Sequence, residues 1–301
     1  MNRVFFFGYG YTAMFLARLL RPEGWKMAGT TRDQAKVNGM WDDGVEPHIW
    51  AEDQGPITAP QRVLKNVTHI LHSLPPTAAG DPVLKNHFEI LKTVAPNLKW
   101  YGYLSTVSVY GDTGDEVATE EYAVNPGTAR GKLRLRVEQR HRQLFKKHGL
   151  PLHLFRVGAI YGPGRSALRR ASNVAPDLVH KEGHVTSRIH VEDLAQILKT
   201  SMENPNPGSV YNCIDDLQTG PEIPLEYAYQ LLGAPVPPTV EYETLDEDKA
   251  KTMVSLYGET RRVSNAKVKS ELGIQLKYPT YKEGYDALNN AREERAKQTA
   301  G

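Results

Sequence analysis

A glycine-rich segment near the start of the chain has the residue types and spacing of a phosphate-binding turn. The apolar run 4–7 leads into Gly8-Tyr9-Gly10-Tyr11-Thr12-Ala13, which fits the pattern G-x-G-x-x-G/A. The first glycine permits a tight turn, the second lets a diphosphate approach the backbone, and the small third residue allows a helix to pack closely on a strand. The N–H groups of the helix's first turn attract the anion. We assign dinucleotide binding to Gly8, Gly10, Tyr11, Thr12 and Ala13.

The residues after the second predicted strand indicate which dinucleotide is bound. A carboxylate there would favour NAD, whereas Thr31 and Arg32 offer a hydroxyl group and a guanidinium group that suit a 2′-phosphate. We therefore expect NADP(H), with NAD as the alternative. A second interpretation stays open, in which Arg32 is a surface residue and Asp33 turns inward. Asp53 would accept a hydrogen bond from the adenine amino group, or would cap a loop.

The elements that must position this turn alternate between strand and helix. Hydrophobic periodicity predicts strands at 4–7, 25–30, 48–50, 68–74, 101–106 and 151–157. A helix is predicted at 11–20, another begins at Pro82 with Asp81 as its N-cap, and a long basic helix ends near Gly149. Because parallel strands need helical crossovers that cover both faces, we predict an α/β fold with a doubly wound parallel sheet of the Rossmann type.

Beyond Gly164 the alternation weakens, and prolines divide the chain into short pieces. Helices are predicted at 191–202, 224–233 and 280–297. We expect a dinucleotide-binding domain at 1–165, to which 187–215 return. A smaller mixed lobe that binds the substrate is expected at 166–186 and 216–301.

Five segments in order resemble the extended short-chain dehydrogenases, the NAD-dependent epimerase/dehydratase group, in an atypical form. The segments are Gly8-Tyr9-Gly10-Tyr11-Thr12-Ala13, Ser73-Leu74-Pro75-Pro76, Leu104-Ser105-Thr106-Val107-Ser108-Val109-Tyr110-Gly111, Arg156 to Arg165, and Arg188-Ile189-His190-Val191-Glu192-Asp193-Leu194-Ala195. The resemblance implies a Rossmann domain, a small lobe that closes over the substrate, and commonly a nucleotide-sugar substrate. It also implies that Ser73, Leu74 and Pro75 lie at the cofactor and that Thr106 supplies the hydroxyl group that orients the substrate.

The same resemblance implies a tyrosine as acid/base and a lysine four residues later, but residues 125–138 contain no tyrosine. Counting back from Glu138 places Arg130 at the tyrosine position and Arg134 at the lysine position, and we prefer this register. If Lys132 is instead taken as the lysine of the pair, the tyrosine position falls on Thr128. An arginine does not exchange a proton near neutral pH, so the usual proton carrier is missing, although Arg134 can still hold a ribose or a phosphate.

Other residues with suitable chemistry lie on segments that the resemblance places around the cleft. Tyr110, Tyr161 and His190 are candidates for proton transfer, and packing at the junction of the two lobes is the alternative for each. Arg165, Arg188 and His184 would bind a diphosphate or a carboxylate of the substrate, or would be ordinary surface residues.

Composition and charge exclude several classes of function. The formal charge of the 301 residues is only +2, so we expect no nucleic-acid partner from electrostatics, and Cys213 is a single cysteine that makes neither an intrachain disulfide nor a zinc pair. His69 and His72 would point to opposite faces of one strand, so we predict no metal site. The sequence offers no export signal and no membrane span, so we expect a cytoplasmic monomer or homodimer.

We therefore predict an oxidoreductase or epimerase that binds NADP(H) and a polar small-molecule substrate. The first alternative is a cofactor-binding sensor or regulatory protein without turnover. The second is a binding module, because eight of the residues from Arg130 to Lys147 are Lys or Arg and only Glu138 is acidic.

Overall fold

The computed structural model describes residues 2–173 and 178–300, and strands in this part of the chain form one large sheet and three small ones. The strands are β1 (Arg3–Phe7), β2 (Lys26–Thr31), β3 (Val45–Ile49), β4 (His69–His72), β5 (Trp100–Thr106), β6 (Val117–Ala118), β7 (Leu152–Val157), β8 (Ala159–Tyr161), β9 (Leu178–His180), β10 (Arg188–His190), β11 (Val210–Cys213), β12 (Thr239–Glu241) and β13 (Arg262–Val263).

Helices connect and cover these strands. They are α1 (Tyr11–Leu20), α2 (Val37–Asp42), α3 (Pro60–Leu64), α4 (Pro82–Val94), α5 (Ala129–His148), α6 (Ala167–Asn173), α7 (Val191–Glu203), α8 (Glu222–Leu231), α9 (Glu247–Tyr257), α10 (Ala266–Leu272) and α11 (Tyr281–Ala300). In the described part of the chain, every helix is too short or too polar to cross a lipid bilayer.

The large sheet has seven parallel strands in the order β11-β7-β5-β4-β1-β2-β3. Its strands alternate buried side chains between two faces, so Phe6 contributes to one core cluster and Phe5 and Phe7 to the other. Leu16 of α1 and Leu194 of α7 belong to the first cluster, and α4 and α5 contribute to the second. The predicted doubly wound α/β fold is therefore confirmed.

Local signals predict the long elements well and the strand ends less well. The predicted helix at 11–20 is α1, Asp81 caps α4 by accepting a hydrogen bond from Leu84 N at 2.8 Å, and Gly149 ends α5 with a φ of +68°. The third strand spans Val45–Ile49 rather than 48–50, and the helix predicted at 224–233 is α8, which begins at Glu222. The large sheet gains its seventh strand, β11, from the return of the chain after α7.

The carboxyl-terminal part packs on the large sheet at two levels. β10 pairs with β8, α7 packs on α1, and β11 pairs with β7 at the edge of the large sheet. The segment from β10 to β11 therefore completes the sheet and one of the helical layers that cover it. A separate apolar cluster beyond it includes Tyr161, Leu225 and Tyr285. Residues of this carboxyl-terminal part, Leu256 and Arg261 among them, line one side of a cleft.

Candidate cofactor cleft and active site

A cleft of about 430 Å³ opens at the carboxyl ends of β1, β5 and β7, which is where doubly wound sheets bind ligands. It is lined by Gly10, Tyr11, Thr12, Ser73, Leu104, Ser105, Thr106, Val107, Ser108, Arg130, Arg134, Val157, Gly158, Ala159, Ile160, Arg165, Thr186, Ser187, Leu256 and Arg261. The glycine turn therefore shares one cavity with the segment after β5 and with the start of α5.

Contacts with both neighbouring strands fix the glycine turn. Gly8 has a φ of +90°, and a Cβ at this position would lie 2.6 Å from Leu74 Cδ2, so only glycine fits here. Thr30 Oγ1 accepts a hydrogen bond from Gly8 N at 2.8 Å, and Ser73 Oγ donates one to Gly8 O at 2.7 Å. The sequence reasoning assigned Ser73 and Leu74 to the cofactor by resemblance, and the structure adds that they hold the turn.

The amino terminus of α1 fits a diphosphate group. Gly10 caps the helix without a side-chain hydrogen bond, and the first turn holds no acidic residue. A Cβ on Gly10 would meet nothing within 4 Å, so the backbone there faces open space in the cleft. Ala13 is fully buried against the sheet. Free N–H donors at a helix start, next to open space, are what a diphosphate anion requires.

Of the residues predicted at the adenosine end, Arg32 and Asp53 lie on the surface after β2 and β3, whereas Thr31 is the buried last residue of β2. Arg32 is exposed, and no hydrogen bond of its side chain occurs within the described part of the chain. Asp33 does not turn inward, because its side chain caps a short turn by accepting from Ala35 N at 3.0 Å. Thr31 is buried, and its hydroxyl group accepts a hydrogen bond from Asp33 N at 3.2 Å. Asp53 and Pro75 are exposed.

The end of β5 and the segment after it bring hydroxyl groups into the cleft. Thr106 is half-buried, and its Oγ1 accepts a hydrogen bond from Ser108 N and donates one to Ser108 Oγ, both at 3.2 Å. Ser105 Oγ donates to Glu138 Oε1 at 2.5 Å, and Glu138 also forms a buried ion pair with Arg156 at 3.0 Å. Glu138 thus holds α5 against the ends of β5 and β7.

Arg130 and Arg134 both line the cleft, as the preferred register expects. Thr128 instead caps α5 by accepting from Gly131 N at 3.2 Å, and Lys132 is exposed away from the cleft lining. Arg134 is only 8% exposed, and its Nη1 donates to Leu104 O at 2.9 Å and to a tyrosine hydroxyl group of β5 at 3.0 Å.

Neither Tyr161 nor His190 is among the described residues that line the cleft, but Tyr161 lines an adjoining recess. His190 is 1% exposed, its Nδ1 accepts a hydrogen bond from Glu192 N at 3.2 Å, and its ring packs 4.0 Å from the ring of Tyr278. Burial lowers the pKa of His190 to about 4. Tyr161 donates a hydrogen bond to Thr280 O at 3.2 Å, and burial raises its pKa above the ordinary value.

Of the arginines and the histidine predicted to bind substrate, Arg165 lies in the cleft lining and stacks over the Tyr11 ring at 5.7 Å. Arg188 lines an adjoining recess, and its guanidinium group donates to Leu217 O at 3.1 Å and to Thr186 Oγ1 at 3.0 Å. His184 is buried, and its Nδ1 lies 3.0 Å from Thr260 Oγ1.

Sequence reasoning missed Arg261 and Glu259, which follow α9. Arg261 is 8% exposed, lines the cleft and forms an ion pair with Glu259. Glu259 Oε1 accepts hydrogen bonds from Gly127 N at 2.5 Å and from Thr128 N at 3.1 Å. The carboxyl-terminal part thus caps α5 from outside, and no spacing pattern in the sequence signals this contact.

A buried polar cluster on the other face of the sheet also escaped the sequence reasoning. His69 and His72 face opposite sides of β4, as the alternation of side chains along a strand requires, and the His69 ring packs on the ring of Trp25. His72 Nε2 lies 3.4 Å from Asp81 Oδ2, and its Nδ1 lies 3.3 Å from His141 Nε2. His72, Asp81 and His141 each offer one ligand atom, and these atoms all lie within 4.8 Å of one another, so the cluster has the ligand types and spacing of a candidate metal site that the sequence did not indicate.

Comparisons with known proteins agree with this fold. The model of the NAD dependent epimerase/dehydratase family matches residues 8–213. A functionally unknown conserved protein from Silicibacter pomeroyi has a similar structure, with a TM-score of 0.87 and 39% identity over 97% of this chain and 100% of that one. Protein YeeZ from Escherichia coli K12 is 24% identical over 93% of this chain and 97% of its own length.

Solved enzyme structures share the fold at lower identity. The dTDP-glucose 4,6-dehydratase of Bacillus anthracis, solved in complex with NAD, has a TM-score of 0.76 and 19% identity, with coverage of 98% of this chain and 97% of that one. With the family model spanning the glycine turn, β5, α5 and β11, this chain belongs to the NAD-dependent epimerase/dehydratase family.

Proposed function

We propose that this protein binds NADP(H) and acts as an oxidoreductase or epimerase on a polar substrate that resembles a nucleotide sugar. One observation carries the proposal: the uncapped amino terminus of α1 opens into the same cleft as Thr106, Arg130 and Arg134. A dinucleotide-dependent enzyme needs this arrangement, in which one cavity contains both an anion-binding turn and a set of polar side chains.

The cleft residues and the surface residue Arg32 have separate roles in this proposal. When bound, the nicotinamide group supplies hydride transfer. The N–H groups of Tyr11 and Thr12 bind the diphosphate, and the exposed guanidinium group of Arg32 binds the 2′-phosphate of NADP(H). The hydroxyl group of Thr106 orients the reacting carbonyl or alcohol of the substrate.

The substrate is expected in a recess of about 740 Å³ that shares Ile160, Arg165 and Thr186 with the cleft. Arg169 and Arg170 also line this recess. Guanidinium groups match the oxygens of a diphosphate, and two proteins of similar fold are named as enzymes of nucleotide sugars, a dTDP-glucose 4,6-dehydratase and a UDP-glucuronic acid 4-epimerase. These features support a substrate of that kind.

The absence of a tyrosine at Arg130 favours a second candidate function, a cofactor-binding protein without turnover. Arg130 does not exchange protons near neutral pH, and His190 is committed to a contact outside the cleft lining. Tyr161 lines the adjoining recess, but its hydroxyl group donates its hydrogen bond to Thr280 O. A panel of nucleotide sugars with NADP(H), analysed by product chromatography, distinguishes the two functions. Turnover that Thr106→Val reduces supports the enzyme, whereas dinucleotide binding with no product from any compound favours the sensor.

The cofactor assignment is tested by titrating NADPH and NADH into wild-type protein, Arg32→Ala and the control Lys36→Ala, whose side chain is exposed on the following turn. Because a guanidinium–phosphate pair is lost, we expect Arg32→Ala to weaken NADPH binding by about tenfold or more and to leave NADH binding unchanged. Lys36→Ala should bind both as the wild type does. Equal affinities of the wild type for the two dinucleotides would contradict the NADP(H) assignment.

A further inference from the structure

Four arginines line the cleft, Arg130, Arg134, Arg165 and Arg261, and no Asp or Glu lies among the described lining residues. Arg261 is paired with Glu259, whereas the other three have no ion-pair partner within 4.0 Å in the described part of the chain. A cavity lined by one sign of charge concentrates ligands of the opposite sign. Each of these arginines can therefore bind an anionic group of a ligand.

The diphosphate of a dinucleotide does not account for the arginines at the far end of the cleft. The glycine turn follows β1, whereas Thr106 ends β5, and β4 lies between these two strands. With neighbouring strands spaced by nearly 5 Å, the two positions are roughly 10 Å apart along the sheet. Arg165, which stacks on Tyr11 of the glycine turn, is placed to serve the diphosphate. Arg130 and Arg134 lie at the other end, which we call the β5–α5 end, with Ser105, Thr106 and Ser108.

Arg134 has the geometry of a fixed anion receptor. Its Nη1 is held by two β5 acceptors, Leu104 O at 2.9 Å and the Tyr103 hydroxyl at 3.0 Å. Tyr103 is itself fully buried, with its ring stacked 4.4 Å from that of His141, so the anchor is rigid. The guanidinium nitrogens Nη2 and Nε of Arg134 make no hydrogen bond to the described residues. Together they form a planar fork that matches two oxygens of one anion.

The nearest carboxylate on the same helix does not neutralise Arg134. Glu138, one turn later, is 1% exposed and is committed to Arg156 and Ser105. Arg130 lies one turn before Arg134 on the cleft side of α5, is exposed, and makes no hydrogen bond within the described part of the chain. Two guanidinium groups at i and i+4 therefore line the same cavity, and in the described part of the chain neither has a carboxylate within ion-pair distance, although Asp81 lies near enough to Arg134 to interact with its charge.

We infer that the substrate presents an oxyanion, a carboxylate or a phosphate group, to Arg130 and Arg134 at the β5–α5 end of the cleft. This inference rests on the proposed function, because it assigns the diphosphate of a bound dinucleotide to the opposite end. The anion is held by the Arg134 fork and by the exposed side chain of Arg130, with the hydroxyl groups of Thr106 and Ser108 within the same cavity. The substrate is thus anionic at the end that reacts, in addition to any diphosphate in the adjoining recess.

The test uses the full-length protein in two stages at constant ionic strength. Stage one is the titration with NADP⁺ alone, and failure to bind overturns the proposed function together with this inference. In stage two, calorimetry follows the binding of malonate, inorganic phosphate and neutral malonamide to protein saturated with NADP⁺. We expect binding of at least one of the two anions and none of malonamide, and the stronger anion identifies a carboxylate or a phosphate site.

Arg130→Gln is the main variant, because an exposed side chain without partners can be replaced without loss of folding. We expect it to weaken anion binding by about tenfold, while Arg136→Gln, an exposed arginine of α5 outside the cleft lining, binds as the wild type does. Arg134→Lys should also weaken binding, since an ammonium group cannot form the fork. Absence of anion binding to the NADP⁺ complex, or equal affinities of the Arg130→Gln and Arg136→Gln variants, would overturn this inference alone.

Discussion

His190 illustrates how a side chain with suitable chemistry is committed to structure. The ring is buried at the start of α7, where its Nδ1 accepts a hydrogen bond from Glu192 N. Burial lowers its pKa to about 4, although the nearby carboxylate of Glu192 acts in the opposite direction. A histidine that stays neutral at pH 7 and is used as a helix cap is poorly placed to carry protons for the cleft.

This assignment predicts the pH dependence of stability. Below the ordinary histidine pKa of about 6.5 the unfolded chain takes up a proton that folded His190 does not bind until about pH 4. The free energy of unfolding therefore falls as the pH drops through this range, by up to about 1.4 kcal/mol per pH unit. His190→Asn keeps a capping side chain and removes the titration. We expect urea denaturation to show that the variant loses about 1.5 kcal/mol less than the wild type between pH 6.5 and pH 5. Identical pH profiles would contradict a neutral, buried His190.

At this scale the sequence predicts residues whose role depends on local spacing. Gly8, Gly10 and Ala13 could be assigned because the turn and the helix that follows it are contiguous. Arg261 and its partner Glu259 could not, because their role arises from contact with Gly127 and Thr128, which lie far away in the sequence. The His72–Asp81–His141 cluster escaped for the same reason.

Among the elements, α5 supplies two arginines to the cleft lining, Arg130 and Arg134, and its amino terminus is held by the carboxyl-terminal part of the chain. Glu259 is 5% exposed and accepts the N–H groups of Gly127 and Thr128 just before the helix begins. A carboxylate at a helix start stabilises the helix, and here it also balances the buried charge of Arg261. The positions of Arg130 and Arg134 in the cleft thus depend on a residue that follows α9.

We expect Glu259→Gln to destabilise the protein by about 3 kcal/mol, because the substitution leaves the buried Arg261 without a counter-charge. Glu182→Gln is the control, since the Glu182 side chain is fully exposed and its contact with His180 is worth little. Chemical denaturation of both variants measures the difference. If Glu259→Gln were as stable as Glu182→Gln, the cap and the ion pair would not hold α5.

The elements that the sequence predicted are those with their own start and stop signals. Asp81 with Pro82 begins α4, and Gly149 ends α5. In contrast, β6 and β13 are two-residue strands that exist only because they pair with each other. Hydrophobic periodicity is undefined over two residues, so no sequence pattern could have indicated them.

Taken as a whole, the molecule shares one core between its amino-terminal and carboxyl-terminal parts. Val268 and Ile274 belong to the same apolar cluster as Val4 and Phe155 of the large sheet. Residues of the carboxyl-terminal part also line the cleft, Leu256 and Arg261 among them. Neither part can therefore lose its packing without exposing apolar surface of the other.

A shared core predicts a single cooperative unfolding transition. The four tryptophans, Trp25, Trp41, Trp50 and Trp100, all lie in the amino-terminal part, so their fluorescence reports mainly on the large sheet and its contact with α7, whereas far-ultraviolet circular dichroism reports on every helix. We expect the two probes to give coincident urea transitions. Separate midpoints would show that the two parts unfold independently.

The central claim is that backbone N–H groups at the glycine turn bind the diphosphate of a dinucleotide. Gly10→Ala tests it directly, because Gly10 has a φ of −110° and a Cβ there meets no protein atom within 4 Å, so the variant should fold normally. The added methyl group would occupy space that the diphosphate needs. The matched control is Gly39→Ala in α2, where a Cβ also meets nothing within 4 Å. Fluorescence titration with NADPH should show a loss of affinity of about tenfold or more for Gly10→Ala and none for Gly39→Ala. Wild-type affinity in a folded Gly10→Ala variant would contradict the account.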